Sequence, residues 1–135
     1  MSTTEKAILY LVIWYAVLMV QLPAIRMIAS RSTGSMKFDP NGADLEGYGQ
    51  RLTRAVANCQ ENLPLAIGVM LLAMVTGNAE ITNATAMWFL YARIGQSVAH
   101  LISISTPMVM VRFAFFLVQF GLVLCWTVQM LMAGG

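Results

Sequence analysis

The chain has 135 residues, of which 59% are hydrophobic and only 10% charged, with a formal net charge of +2. Soluble domains carry charge on roughly a quarter of their residues, so this composition belongs to an integral membrane protein of one domain. The small net charge and the lack of any Lys/Arg-rich run exclude a nucleic-acid binder.

The first apolar stretch covers about residues 6–28 and includes "AILYLVIWYAVLMVQLPAI". It is longer than the roughly 7–15 residues of a signal-peptide core, and Glu5 offsets Lys6, so it reads as a retained transmembrane helix. A polar, turn-rich loop follows over about residues 29–50, "SRSTGSMKFDPNGADLEGYGQ". Its "GADLEGYG" is turn chemistry and not a nucleotide fingerprint, because no strand precedes it. Three further apolar stretches cover about 51–76, 80–104 and 108–132, joined by the short links "TGNAEITN" and "SISTP". Each reaches the ~20 residues needed to cross about 30 Å of hydrocarbon. Short links join antiparallel neighbours, so the expected fold is an all-α, four-transmembrane-helix, up-down bundle over residues 1–135.

The basic residues set the expected orientation. Arg26, Arg31, Lys37, Arg51 and Arg54 flank the first loop, and Arg112 follows the third link. By the positive-inside rule the first and third links are cytoplasmic and both termini lie outside. Cys59 and Cys125 both fall inside apolar stretches, as small buried hydrophobes and not a disulfide framework. The eleven methionines read as soft packing residues, and no His/Cys cluster has metal-ligand spacing.

Two apolar stretches carry polar stripes. At about 100° per residue, Arg51, Arg54, Asn58 and Glu61 fall within about 80° on one face of the second stretch. In "YARIGQSVAH", Arg93, Gln96, Ser97 and His100 likewise share one face of the third. A charge near the bilayer centre costs about 2.5–3.5 kcal/mol on insertion scales, so Arg54, Glu61 and Arg93 together would cost about 8–10 kcal/mol if unpaired. One reading is an interhelical clamp, Glu61 on Arg93 with Asn58 bridging. The other starts from the charge count: Arg51, Arg54, Arg93 and Arg112 face one carboxylate, Glu61. A buried surplus of guanidinium suits a small, multiply charged anionic ligand on the cytoplasmic side.

"RLTRAVANCQENLP" resembles the second-helix signature Arg-x-x-Arg-Ala-x-x-Asn-x-x-Glu of the MAPEG family, the membrane-associated proteins in eicosanoid and glutathione metabolism. "YARIGQSVAH" is similar to that family's third-helix Arg segment. The resemblance extends to the chain length, the span pattern and the long first loop. It implies a homotrimer in a bacterial inner membrane or an endoplasmic-reticulum-type membrane, with glutathione as co-substrate bound between subunits near the cytoplasmic face. The implied glutathione-binding residues are Arg31, Arg51, Arg54, Asn58, Glu61, Arg93, Gln96 and His100. His100 stands where eukaryotic members commonly have Tyr. The implied catalytic residue, facing the glutathione sulfur, is Arg112. The implied activity is thiolate addition to lipophilic electrophiles, or reduction of lipid hydroperoxides, with the second substrate arriving through the bilayer. Two alternatives stay open: a family member that binds lipid or glutathione without catalysis, and a small four-helix transporter using Glu61.

Overall fold

The computed structural model describes residues 1–34, 47–102 and 105–134. All regular structure among them is helical: α1 Thr3–Thr33, α2 Tyr48–Val75, α3 Ala79–Asn83, α4 Ala86–Ile102 and α5 Thr106–Gly134. The segment 35–46, most of the expected first loop, lies outside the described residues.

Local chemistry sets the helix ends. Ser2 caps α1 by accepting from the Glu5 amide at 3.2 Å, while the Glu5 carboxylate accepts from the Ser2 amide at 3.3 Å. This reciprocal capping box satisfies two of the amides that a helix start leaves unpaired. At the other end Gly34 turns left-handed, with φ 72°, and its amide closes onto the Ser30 carbonyl. Gly77, with φ 78°, makes the sharp turn out of α2 that a side chain would oppose. Pro107 sits in the first turn of α5, where its missing N–H costs nothing. Pro23 and Pro64 are accommodated inside α1 and α2.

The expected third span is interrupted. Ala84 and Thr85 form a turn between α3 and α4. The polar side chains there are directed away from a continuous helix. Asn83 Oδ1 accepts from the Thr4 amide at 2.9 Å, and Thr85 Oγ1 accepts from Trp126 Nε1 at 2.8 Å. Thr82 Oγ1 donates to the Ala79 carbonyl at 3.1 Å. Side-chain bonds of this kind compete with the helical ladder. They also anchor α3 to the start of α1 and the second half of α5.

Three helices, α1, α2 and α5, are long and apolar enough to cross a membrane. The 17-residue α4 is shorter but the most enclosed, burying Phe89, Leu90, Arg93, Gln96 and Ser97 against its neighbours. The core joins Leu11 and Leu18 of α1, Leu52, Cys59 and Met70 of α2, Phe89 of α4 and Trp126 of α5. Phe89 and Trp126 pack tilted, ring centroids 5.8 Å apart. Outside this core, long faces of α1 and α5 expose Val12, Ile13, Val20, Phe113, Leu117, Leu124 and Val128. Faces so apolar need lipid or another protein surface against them.

Candidate functional site

The polar residues converge on α4 near its C-terminal end, reached from α2 on one side and α5 on the other. Arg93 is fully buried, and its Nη2 donates to Asn58 Oδ1. This bond is the bridge between the two stripes. Arg93 Nε and Nη1 have no hydrogen-bond partner among the described residues. A guanidinium presents five donors and is not readily neutralised, so one bond to a neutral amide leaves it far from satisfied. Ser97, one turn on, donates to the Arg93 carbonyl at 3.0 Å and lies 3.4 Å from Cys59 Sγ. Cys59 is therefore packed against α4 as a buried thiol.

On the α5 side, Arg112 Nη1 lies 2.9 Å from His100 Nδ1. Arginine can only donate, so Nδ1 accepts and the ring carries its proton on Nε2. Arg112 Nε is buried and unpartnered among the described residues. One layer deeper, Gln119 Nε2 donates to Gln96 Oε1 at 2.6 Å and to the Phe115 carbonyl at 3.0 Å. Antiparallel pairing of α4 with α5 thus sets His100 on Arg112, Gln96 on Gln119 and Phe89 beside Trp126. Gly95 allows this close approach: a Cβ there would lie 2.8 Å from Phe115 Cζ.

Arg51 plays a different part. Its Nε donates to the Leu101 carbonyl at 2.7 Å, placing a cation on the C-terminal end of α4, where helix carbonyls run short of intrahelical partners. Arg54 and Glu61 are exposed, with no hydrogen bond or ion pair among the described residues. The Glu61–Arg93 half of the clamp is not formed. The α2 stripe splits by depth, with Asn58 turned toward α4 and Arg54 and Glu61 on the open flank.

Arg31, exposed in the last turn of α1, is not brought to the cluster. Gln21 accepts from the Tyr48 hydroxyl at 2.7 Å, which puts it level with the start of α2. Ten residues further on, Arg31 stands about 15 Å along the helix axis beyond that level. Gln119 was absent from the sequence-predicted set. Its signal is an amide seven residues after Arg112 in an apolar helix, and hence on the same flank two turns away.

This assembly concentrates positive charge and unused N–H donors, with its carboxylate displaced to the periphery. It can bind an anion and stabilise negative charge on a reacting atom. The model of the MAPEG family matches residues 6–132. No curated protein and no solved structure matches the chain.

Proposed function

The chain belongs to the MAPEG family, and on that premise we propose that it is a glutathione-dependent membrane enzyme, a four-span homotrimer with its cluster toward the cytoplasm. The observation that carries this reading is the buried Arg93, with Nε and Nη1 unpartnered among the described residues. Leaving such donors unmet in a low-dielectric site costs several kcal/mol, about the scale of a charged group removed from water. A ligand carboxylate supplies what they lack.

Glutathione has two carboxylates and one ammonium, which suits several arginines and one glutamate. Arg93 and Asn58 form the inner wall, with Gln96 and His100 along it. Arg54 and Glu61, open on the flank of α2, would meet the ligand where a neighbouring subunit closes the site. Arg51 would act at the rim, where it already holds the end of α4.

The reactive form is the thiolate, only a few per cent populated for a free thiol at pH 7. Arg112 would hold it. Lowering a thiol pKa by about two units takes about 2.7 kcal/mol of differential stabilisation, within reach of one charge-assisted contact in a water-poor site. His100, accepting from Arg112 Nη1, fixes the guanidinium and leaves the unpartnered Nε available. In conjugation the sulfur lone pair forms a bond to an electrophilic carbon, and a leaving group departs as its anion. In peroxide reduction the sulfur attacks the distal oxygen, the O–O bond breaks, and the alkoxide takes a proton. The glutathione sulfenic acid then condenses with a second glutathione to give the disulfide and water.

A carrier built on Glu61 would move cationic cargo, which the surplus of arginines around the cluster would repel. The test is to titrate purified protein with glutathione near neutral pH and read thiolate absorbance, with Arg112→Ala as the comparison. A stoichiometric signal that the variant loses, while still binding glutathione, supports thiol activation by Arg112. Binding without any thiolate signal in the wild type would make the protein a non-activating binder. Absence of binding would overturn the reading altogether.

A further inference from the structure

His100 stands half-buried in the last turn of α4, where the cluster meets α5. Its Nδ1 accepts from Arg112 Nη1 at 2.9 Å, which leaves the ring neutral with its only N–H at Nε2. The bond to Arg112 is the ring's one hydrogen bond among the described residues. The two ring nitrogens face opposite ways, so Nε2–H points away from Arg112. An atom that accepts from it lies on the far side of the ring, and a sulfur held on the guanidinium cannot be that atom.

The charge around the ring indicates what can. The guanidiniums of Arg112, Arg93 and Arg54 all act on His100 through space, and no carboxylate among the described residues does. An N–H donor in the field of three cations selects an anionic oxygen over a neutral one. The two ends of glutathione differ in this respect. Its γ-glutamyl end carries an ammonium beside the carboxylate, and Glu61 on the α2 flank is the partner for that ammonium. Its glycine end carries a carboxylate alone, which suits a place with cations and no acid. The ring is a donor there and not a proton carrier. Taking a proton at Nδ1 requires Arg112 to leave, and giving one from Nε2 leaves an imidazolate, so the proton released by the thiol goes to solvent.

We propose that His100 is a positioning residue that couples the two ends of the ligand: the glycine carboxylate accepts from Nε2–H, and the ring so fixed holds Arg112 on the sulfur through Nδ1. A reacting group oriented through an imidazole by a third group is a recurrent arrangement. The coupling rests on the glutathione reading and adds a specificity rule to it. A thiol without that carboxylate binds, but is ionised less.

The test compares glutathione with its glycine monoethyl ester, which keeps the thiol and the γ-glutamyl end and lacks that one charge. The purified full chain in mild detergent is saturated with either thiol, and thiolate absorbance is followed against pH, so the midpoint reports ionisation and not occupancy. The midpoint for glutathione is expected about one pH unit below that for the ester, or about tenfold more thiolate at a pH below both. The sign is diagnostic, because a carboxylate acting only as a nearby negative charge would raise the midpoint for glutathione. In His100→Asn, which keeps an acceptor for Arg112 and lacks the N–H at the ε position, the two midpoints should agree within about 0.3 unit, a factor of about two. His100→Gln, whose amide N–H reaches the ε position, should restore part of the difference. Equal midpoints in the wild type would mean that water accepts from Nε2–H and would overturn the proposal, as would a difference that survives in His100→Asn. The wild-type comparison decides even where the variants fold poorly. No thiolate from either thiol overturns the glutathione reading and the coupling with it, whereas equal thiolate from both removes the coupling alone.

Discussion

Asn58 and Arg93 are joined by one hydrogen bond, yet removing each has a different consequence. Asn58→Ala leaves a fully buried guanidinium without its one partner among the described residues. Breaking a buried charge-assisted contact from the neutral side costs about 2–3 kcal/mol, and thermal unfolding in detergent should move down accordingly. Arg93→Met removes the charge and its unmet donors together and fills similar volume. Replacing buried charge by an apolar side chain is often neutral or stabilising, so the unfolding temperature should hold or rise. The same variant should weaken glutathione binding at least tenfold, because the inner wall has lost its cation. If Arg93→Met instead unfolds more readily than Asn58→Ala, Arg93 is holding the bundle and the anion site is lost as an explanation. At this scale the sequence was informative about which residues share a face and silent about depth. The helical wheel put Arg54, Asn58 and Glu61 in one stripe. Packing then turned Asn58 toward α4 and left its two charged neighbours on the open flank, a division of about 40–60° that periodicity alone does not resolve.

Helix by helix, the apolar stretches were legible because about 20 predominantly hydrophobic residues leave few other options. What they concealed was the turn at Ala84 and Thr85. Its cause is tertiary, lying in Thr4 and Trp126, residues far away in sequence whose N–H groups donate to Asn83 and Thr85. Gln119 is not legible for a related reason, since an amide in α5 acquires meaning only once Gln96 is known to face it. The α4–α5 seam that brings them together depends on Gly95, where a Cβ would meet the Phe115 ring at 2.8 Å. Gly95→Leu should therefore overpack the seam and cost about 1–3 kcal/mol, even though leucine is the better helix former. Combining it with Phe115→Ala vacates that space, and the double variant should recover part of the loss in thermal unfolding. No recovery would mean that the glycine serves something other than the approach of α5. A second check on the same helices is Thr85→Val, which preserves shape but strands the Trp126 N–H. It should lower stability by about 1–3 kcal/mol with glutathione affinity unchanged, because it lies at the end of α4 remote from Arg93.

For the whole molecule, the open flank of α2 and the apolar faces of α1 and α5 bear on the same question. A single chain shows Arg54 and Glu61 exposed and unpaired among the described residues, on a helix with Leu65, Leu71, Leu72 and Val75 also exposed. Lipid can cover the leucines but offers a carboxylate and a guanidinium nothing comparable to a polar ligand held between subunits. If glutathione is shared between copies, its affinity must depend on assembly, since the contacts made by the second copy vanish when the copies separate. We expect native mass spectrometry in mild detergent to give trimers binding up to three glutathione molecules. A harsher detergent that yields monomers should keep the helical circular dichroism while weakening glutathione at least a hundredfold. Arg54→Ala and Glu61→Ala should resemble the monomer in affinity while staying trimeric, because they remove the ligand's contacts and not the apolar surfaces that hold the copies together. Monomers that bind as tightly as trimers would place the whole site within one chain. In that case Arg93, Asn58 and Arg112 would have to do alone what the flank residues were expected to share.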